Sequence, residues 1–358
     1  MVLGGHYLSK NKPNMKDVAQ LAGVSIGTVS KYINGNQSIT PANCARIQDA
    51  IEKLNYTPNV AAQKLASGHA DSILMYIVHE DPVSTASWLY DLPIIQGISE
   101  FFSDSKYSLQ LAMDPEPASE NICNNIITKY QQKSISGVIV ISPWRLDGLT
   151  MIRLIEMGIP YVLVGAENQV LHNYHVLMDN RTAVSELVDH LASLGHKRIA
   201  MINGLSAQYD MLQRLKGFND GVRRHKMVTN EDWNSFGEQT VLGGQERMEK
   251  ILASGPLSEI PTAIVCGNDY IAAGVIQAIR DFGLRVPEDI SVTGYDDITL
   301  TSILEPPLTT VELPTFKMGF CGAEMMMRRL NNQTFDKETF MLPCNVIIRN
   351  STDKTYKY

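Results

Sequence analysis

Seven short runs rich in β-branched residues recur along the chain, at 72–78, 108–113, 137–142, 160–165, 198–204, 262–267 and 290–295. Between them lie longer stretches with helical periodicity, among them 183–194, 244–253 and 271–282. Strands that run parallel need crossover connections of about a dozen residues, usually helices. The alternation therefore predicts an α/β body with parallel sheets covered on both faces. Two such series predict two lobes. Open parallel sheets bind ligands beyond the carboxyl ends of their strands, so two facing lobes form a cleft there.

The motifs of nucleotide and hydrolytic chemistry do not occur. No strand run is followed by GxGxxG or GxxxxGK[ST], and "GGQER" at 243–247 reads as a loop and a helix cap. There is no HExxH and no GxSxG elbow with partners. The chain is expected to be no enzyme and to need no cofactor or metal. Cys44, Cys123, Cys266, Cys321 and Cys344 are scattered, with no CxxC pair, and read as reduced, small core residues. No apolar run reaches the roughly 18 residues of a membrane span, and the first residues lack a secretory h-region. The expectation is a cytoplasmic, nucleoid-associated protein with no membrane partner.

The first 69 residues differ from the rest in charge. They hold seven Lys and Arg against three Asp and Glu, whereas the remainder holds 24 against 35, within a net charge of -7. A basic head on an acidic body is compatible with nucleic-acid binding. Within "DVAQLAGVSIGTVSKYINGN", Val18, Ala19, Leu21 and Ala22 line one helical face, Gly23 stops that helix and Ser25 caps a second, with Val29 and Ile33 facing inward. Thr40 and Pro41 open a third helix, with a capping hydroxyl followed by Pro, and Ile47, Ile51 and Leu54 form its core stripe. Two short helices around a Gly-containing turn make a helix-turn-helix. The slim first turn of the second helix suits entry into a major groove, with Ile26, Gly27 and Lys31 reading bases. Ser25, Thr28, Ser30 and Asn34 are assigned to the DNA backbone, as are Tyr56 and Asn59. In "LNYTPNVAAQKLASG", about two helical turns follow Pro58, too short to be stable alone. Ala62 and Leu65 are expected at the minor groove, Leu65 as an apolar wedge.

These two segments resemble the DNA-binding head and hinge of the lactose/galactose-repressor (LacI–GalR) family of bacterial transcription regulators. The resemblance continues through "SGVIVIS", "GIPYVLVG", "LGHKRIAMING", "RLKGF", "PTAIVCGNDYIAAGVIQAIRDFGLRVPEDISVTGYDD" and "PPLTTVELP", covering residues 15 to about 350. It implies a helix-turn-helix head on a periplasmic-binding-protein-like, two-lobe body. The expected divisions are a lead-in at 1–14, the head at 15–58, a hinge and linker at 59–70, an N-lobe of 71–166 with 315–342, and a C-lobe of 167–314 with 343–358.

At the predicted strand ends stand Asn268 and Asp269, Asp296 and Asp297, with Arg214 in "QRLKGF". Converging carboxylates, an amide and a guanidinium suit a polyhydroxyl ligand, because each engages two hydroxyls. Helix capping for Asn268-Asp269 and turn-making for Asp296-Asp297 are the alternatives. The resemblance implies effector contacts at Arg214, Asp269 and Asp296. His79 and Ser142 stand at N-lobe strand ends, and Trp144 follows, either to stack on a sugar ring or to cover the lobe. Gly165 departs from the Asp of several sugar repressors, and Leu313 from a common polar residue; 325–327 reads as a core helix face. The implied function is a regulator, a repressor by preference, of double-stranded operator DNA, working as a homodimer under a sugar-like effector. A nucleobase effector, a protein corepressor and a transporter's solute-binding protein are the alternatives. The ending "RNSTDKTYKY" has no leucine heptads, so the tetramer-forming tail of the lactose repressor is not expected.

Overall fold

The structure is a computed structural model that describes residues 13–33, 38–57, 71–78, 85–114, 120–142, 148–165, 174–206, 208–333 and 339–355. It divides into two units, residues 1–69 and 70–358.

Three helices build the first unit: α1 (Met15–Ala22), α2 (Ile26–Ile33) and α3 (Pro41–Leu54). Asn14 and Asp17 form a reciprocal capping box at the start of α1. Gly23 ends that helix at φ 65°, a conformation that costs an L side chain energy. Val18, Ala19, Ala22, Val29, Ile47 and Ala50 form the buried core, with Val24, Ile33, Ile51 and Leu54 packed around it. Leu21 departs from expectation: it is 51% exposed, because the three smaller residues of α1 already fill the contact with α3. Thr40 precedes Pro41 but makes no side-chain cap; Pro at the first helical position removes a donor that would otherwise need one.

The second unit holds β1 (Ser72–Val78), α4 (Thr85–Phe102), β2 (Ser108–Asp114), α5 (Glu120–Gln131), β3 (Gly137–Ile141), α6 (Gly148–Glu156), β4 (Tyr161–Val164) and β5 (His175–Met178). The chain continues through α7 (Asn180–Ser193), β6 (Ile199–Asn203), α8 (Tyr209–His225), β7 (Ser235–Phe236), α9 (Val241–Ala253), β8 (Ala263–Cys266) and α10 (Asp269–Asp281). Last come β9 (Ser291–Thr293), α11 (Leu300–Ile303), β10 (Thr310–Glu312), α12 (Thr315–Leu330), β11 (Thr339–Leu342) and β12 (Asn345–Ile347).

A six-stranded parallel sheet, ordered β11-β5-β4-β3-β1-β2, forms the N-lobe, and a four-stranded parallel sheet, β7-β6-β8-β9, forms the C-lobe. The central strands are buried along their whole length, as expected of strands covered on both faces. β10 and β12 make a separate antiparallel pair. The lobe boundary expected at 166 moves to Met178–Asn180, because β5 pairs with β4 and β11 in the first sheet. Four residues beginning with His175 carry too little hydropathy signal to mark a strand. The "GGQER" segment, read as a loop, is helical within α9; Thr240 caps it by accepting from the Gly243 N–H at 3.0 Å.

The helices close on the sheets through small residues. A Cβ at Gly319 of α12 would stand 2.0 Å from the Ile94 carbonyl, and one at Gly97 of α4 2.1 Å from that of Phe316. Only glycine at both positions allows α4 and α12 to approach so closely. Met325 and Met326 are buried in the same core, as expected. Cys123, Cys266 and Cys344 are buried, whereas Cys44 and Cys321 are only half-buried and do not belong to the inner core.

At the far end of the C-lobe, His196 is 2% exposed and fastens the C-terminal segment. Its Nδ1 lies 2.9 Å from the Thr262 hydroxyl, and its Nε2 lies 3.1 Å from both the Ser291 hydroxyl and the Asp353 carbonyl. Burial pushes the imidazole down from 6.5 to about 4. The unfolded chain therefore binds this proton first, and stability from His196 is complete above pH 6.5 and lost as pH falls to 4. The share of stability that titrates with His196, read as the difference between wild type and His196→Gln in denaturant titrations, should fall on the order of 2–3 kcal/mol over that window.

Candidate functional site

The exposed side of α2 is built by its own capping. Ser25 Oγ accepts from the Thr28 N–H at 3.1 Å and lies 2.8 Å from the Thr28 hydroxyl, which fixes the first turn. Ile26, Gly27 and Lys31 are exposed, while Thr28 and Ser30 are half-buried beside them. A Cβ at Gly27 would meet nothing nearer than Ser25 Oγ at 3.7 Å, so this turn is narrow by composition. The Tyr32 hydroxyl donates to Gln48 at 2.7 Å and ties α2 to α3. Tyr56 is 8% exposed and packs within the helical core. Asn34, Asn59, Ala62, Leu65, His79 and Trp144 lie outside the described residues.

In the body, polar groups meet at the carboxyl ends of the C-lobe strands. Arg214, on α8, is 3% exposed. Its Nε donates to Asn180 Oδ1 at 3.1 Å, its Nη1 donates to the Gly267 carbonyl, and its Nη2 lies 3.6 Å from Asp296 Oδ1. Its guanidinium carbon stacks 3.7 Å above the Tyr295 ring. Asn180 in turn donates to Asp210 Oδ1 at 2.9 Å. Burial raises the Asp210 carboxyl to about 6, against the opposing effects of Arg214 and Asn180. Asp296 is likewise raised to about 6 by burial, with Arg214 opposing and Asp210 adding to the rise.

Asp296 and Asp297 both have positive φ, 111° and 51°. Non-glycine residues there cost about 1–3 kcal/mol each and persist only when their surroundings over-determine them. The surroundings do so. The Asp296 N–H donates to Val311, the Ile298 N–H donates to Asp269 Oδ2, and the Thr301 hydroxyl donates to Asp297. Arg349 Nη1 adds an ion pair to Asp297 at 2.7 Å and donates to Thr301 and the Leu308 carbonyl at 3.0 Å.

Asp269 is therefore not the cleft-facing ligand that the resemblance implied. It is fully buried, its other oxygen accepts from the Thr310 hydroxyl at 2.6 Å, and burial raises its carboxyl well above the usual range. It acts by holding the 296–298 turn. Asn268 caps α10 by accepting from Ile271 at 2.8 Å, so the capping reading holds, while its amide nitrogen reaches the Gln239 carbonyl at 3.5 Å.

On the N-lobe side, Ser142 is buried at the end of β3. Gly165, after β4, has φ 79°, and a Cβ there would stand 2.5 Å from the Tyr90 hydroxyl and 2.9 Å from the Ser142 carbonyl. The Tyr90 hydroxyl of α4 thus stands beside the ends of β3 and β4, where the sequence reading placed neither it nor its neighbour Asp91, since "WLYDLPII" carries only an apolar helical signal. Asp210 was also missed, although its place four residues before Arg214 on one helix was a usable signal.

"Bacterial regulatory proteins, lacI family" matches residues 14–59, and "Periplasmic binding protein-like domain" matches 188–352. The repressor PurR of Histophilus somni is 30% identical over 341 residues, 94% of this chain and 98% of that protein. The chain belongs to the LacI family. The regulator CelR of Thermobifida fusca is 29% identical, covering 96% of this chain and 99% of that one. Among solved structures, a CelR–cellobiose complex matches at TM-score 0.67 and 27% identity, covering 95% of this chain and 99% of that one. A Lac repressor bound to ONPG in its repressed state matches at 0.80 and 25%, covering 96% and 100%. This LacI-family chain is a DNA-binding transcriptional regulator.

Because Arg349 is the ion-pair partner that braces the Asp296–Asp297 turn, Arg349→Met should cost about 1–3 kcal/mol of stability. It should also speed amide exchange at Asp296 and Ile298 more than in α7. Uniform exchange across the body would mean that Arg349 contributes only global stability.

Proposed function

We propose that this regulator binds a pseudo-palindromic operator as a homodimer, and that a sugar or sugar derivative held between its lobes sets operator affinity. Binding, not catalysis, is its activity, exercised on the chromosome in the cytoplasm. The observation that carries the effector reading is the buried Arg214 cluster at the C-lobe strand ends. There Asn180 links the Arg214 guanidinium to Asp210, and Asp296 forms an ion pair with the same guanidinium at 3.6 Å. Such a group offers donors and acceptors in pairs to vicinal hydroxyls. Relatives solved with cellobiose and with ONPG support the same reading by analogy.

On the DNA side, Ile26, Gly27 and Lys31 supply base readout, with Ser25, Thr28 and Ser30 set against the backbone. Asn34, Asn59, Ala62 and Leu65 keep the roles that the sequence gives them. A ligand can shift operator affinity only by binding the two conformations of the body unequally. The test is direct. Operator should be selected from a random duplex pool, and binding followed by fluorescence anisotropy with and without candidate sugars. Lys31→Ala should weaken the selected site by about 1–3 kcal/mol and relax its base preference. Equal losses on selected and random DNA would reduce Lys31 to a phosphate contact. Sedimentation should show a dimer at micromolar concentration; a monomer on the operator would contradict the two-fold arrangement.

A further inference from the structure

Charge is uneven where the N-lobe helix α4 meets the carboxyl ends of the C-lobe strands. Around the Tyr90 hydroxyl, the charges that act most strongly are those of Asp210, Asp91, Arg214 and Asp296. Among the described residues this is one cation against three carboxylates. The cation is already committed: Arg214 gives one N–H to Asn180 and another to Gly267, faces Asp296, and has the Tyr295 ring against its plane. Asp91, at 1% exposure, and Asp210, at 4%, are buried.

The N-lobe wall offers a neutral group instead. The Tyr90 hydroxyl is buried and has no hydrogen-bond partner among the described residues. It occupies the space beside Gly165 and Ser142 that any side chain at 165 would fill. A buried hydroxyl without a partner costs about 1–3 kcal/mol, so a ligand that supplies one gains by binding. Burial, followed by the carboxylate charges of Asp210 and Asp91, holds the phenol well above its usual range, so it enters binding as a neutral donor and acceptor.

We infer that the effector is an uncharged polyhydroxyl molecule, with one hydroxyl on Tyr90 and others on the Arg214–Asp296 pair, and that phosphorylated and carboxylate sugars are rejected. This rests on the reading that a sugar-like effector binds between the lobes. An anion would meet a committed guanidinium and an excess of carboxylates in a water-poor site, where like charges repel strongly. A neutral hydroxyl can accept from Arg214 and donate to Asp296 without disturbing that balance. The departure at Gly165 fits the same logic: a carboxylate there would add a fourth negative charge, whereas the Tyr90 hydroxyl adds none.

The test uses the full chain. Cellobiose, lactose and glucose are titrated calorimetrically beside glucose 6-phosphate and glucuronate. The expected result is binding of a neutral sugar and at least a hundredfold weaker binding of both charged ones. Tyr90→Phe should weaken the neutral sugar about tenfold. Asp210→Asn, which removes a charge at constant size, should narrow the gap between glucose and glucose 6-phosphate. A charged sugar that binds as tightly as the neutral ones overturns the charge selection. A neutral Tyr90→Phe removes Tyr90 from the site. A chain that binds none of the five contradicts the sugar reading itself, which is a different failure from either of these.

Discussion

One buried guanidinium organises the carboxyl ends of the C-lobe strands. Arg214 joins the start of α7 through Asn180, the end of β8 through Gly267, and the turn after β9 through Tyr295 and Asp296. Those segments are far apart in sequence and meet only because parallel strands end on one side of the sheet. A buried charge would be untenable without such partners. Burial alone would weaken the Arg214 charge, but Asp296, Tyr295 and Asp210 more than offset it, so it stays a cation. The surrounding groups follow from this choice: Asn180 bridges to Asp210, and the Asp296–Asp297 turn is held in positive φ from Asp269, Val311 and Arg349.

The same turn shows how the C-terminal segment takes part. Arg349 reaches back to Asp297, Ser351 accepts from Thr309 and donates to Val292, and Asp353 meets His196. The last strand and tail are thus laced to the C-lobe from the Asp296–Asp297 turn to the opposite end of its sheet. Asn180 begins α7 immediately after the chain leaves the first sheet, and the Asp179 N–H donates to Leu342, where the chain leaves that sheet again. Arg214 is therefore one hydrogen bond from the crossovers between the lobes. A ligand that pulls on Arg214 or Asp296 acts where the two lobes are connected.

The fold class was legible because parallel strands are uniformly apolar and separated by helices, a pattern that survives without any pairing information. β5 was not, since its four residues gain strand character only from β4 and β11 on either side. The three head helices were legible from Gly23, Ser25 and Pro41, but the exposure of Leu21 was not, because periodicity does not say where a three-helix contact ends. In the site, Arg214 and Asp296 were visible as polar residues at strand ends. Asp269 was visible too, yet its direction was not: only the structure shows both carboxylate oxygens turned inward. Tyr90 and Asp91 could not be found, because an apolar helix gives no sign of which turn faces a cleft.

In the proposed function, the geometry of Arg214, not its charge alone, couples the bound sugar to the regulator's hold on DNA. Arg214→Lys keeps the charge but loses the planar fork that engages Asn180, Gly267 and Asp296 together. The decisive measurement is operator affinity of the wild-type chain and of Arg214→Lys, each with and without the sugar that most changes wild-type binding. The variant is expected to hold operator within about threefold of wild type in the absence of sugar, a difference of less than about 1 kcal/mol, and sugar is expected no longer to change its affinity. A variant that responds to the same sugar at the same concentration as wild type would contradict this coupling.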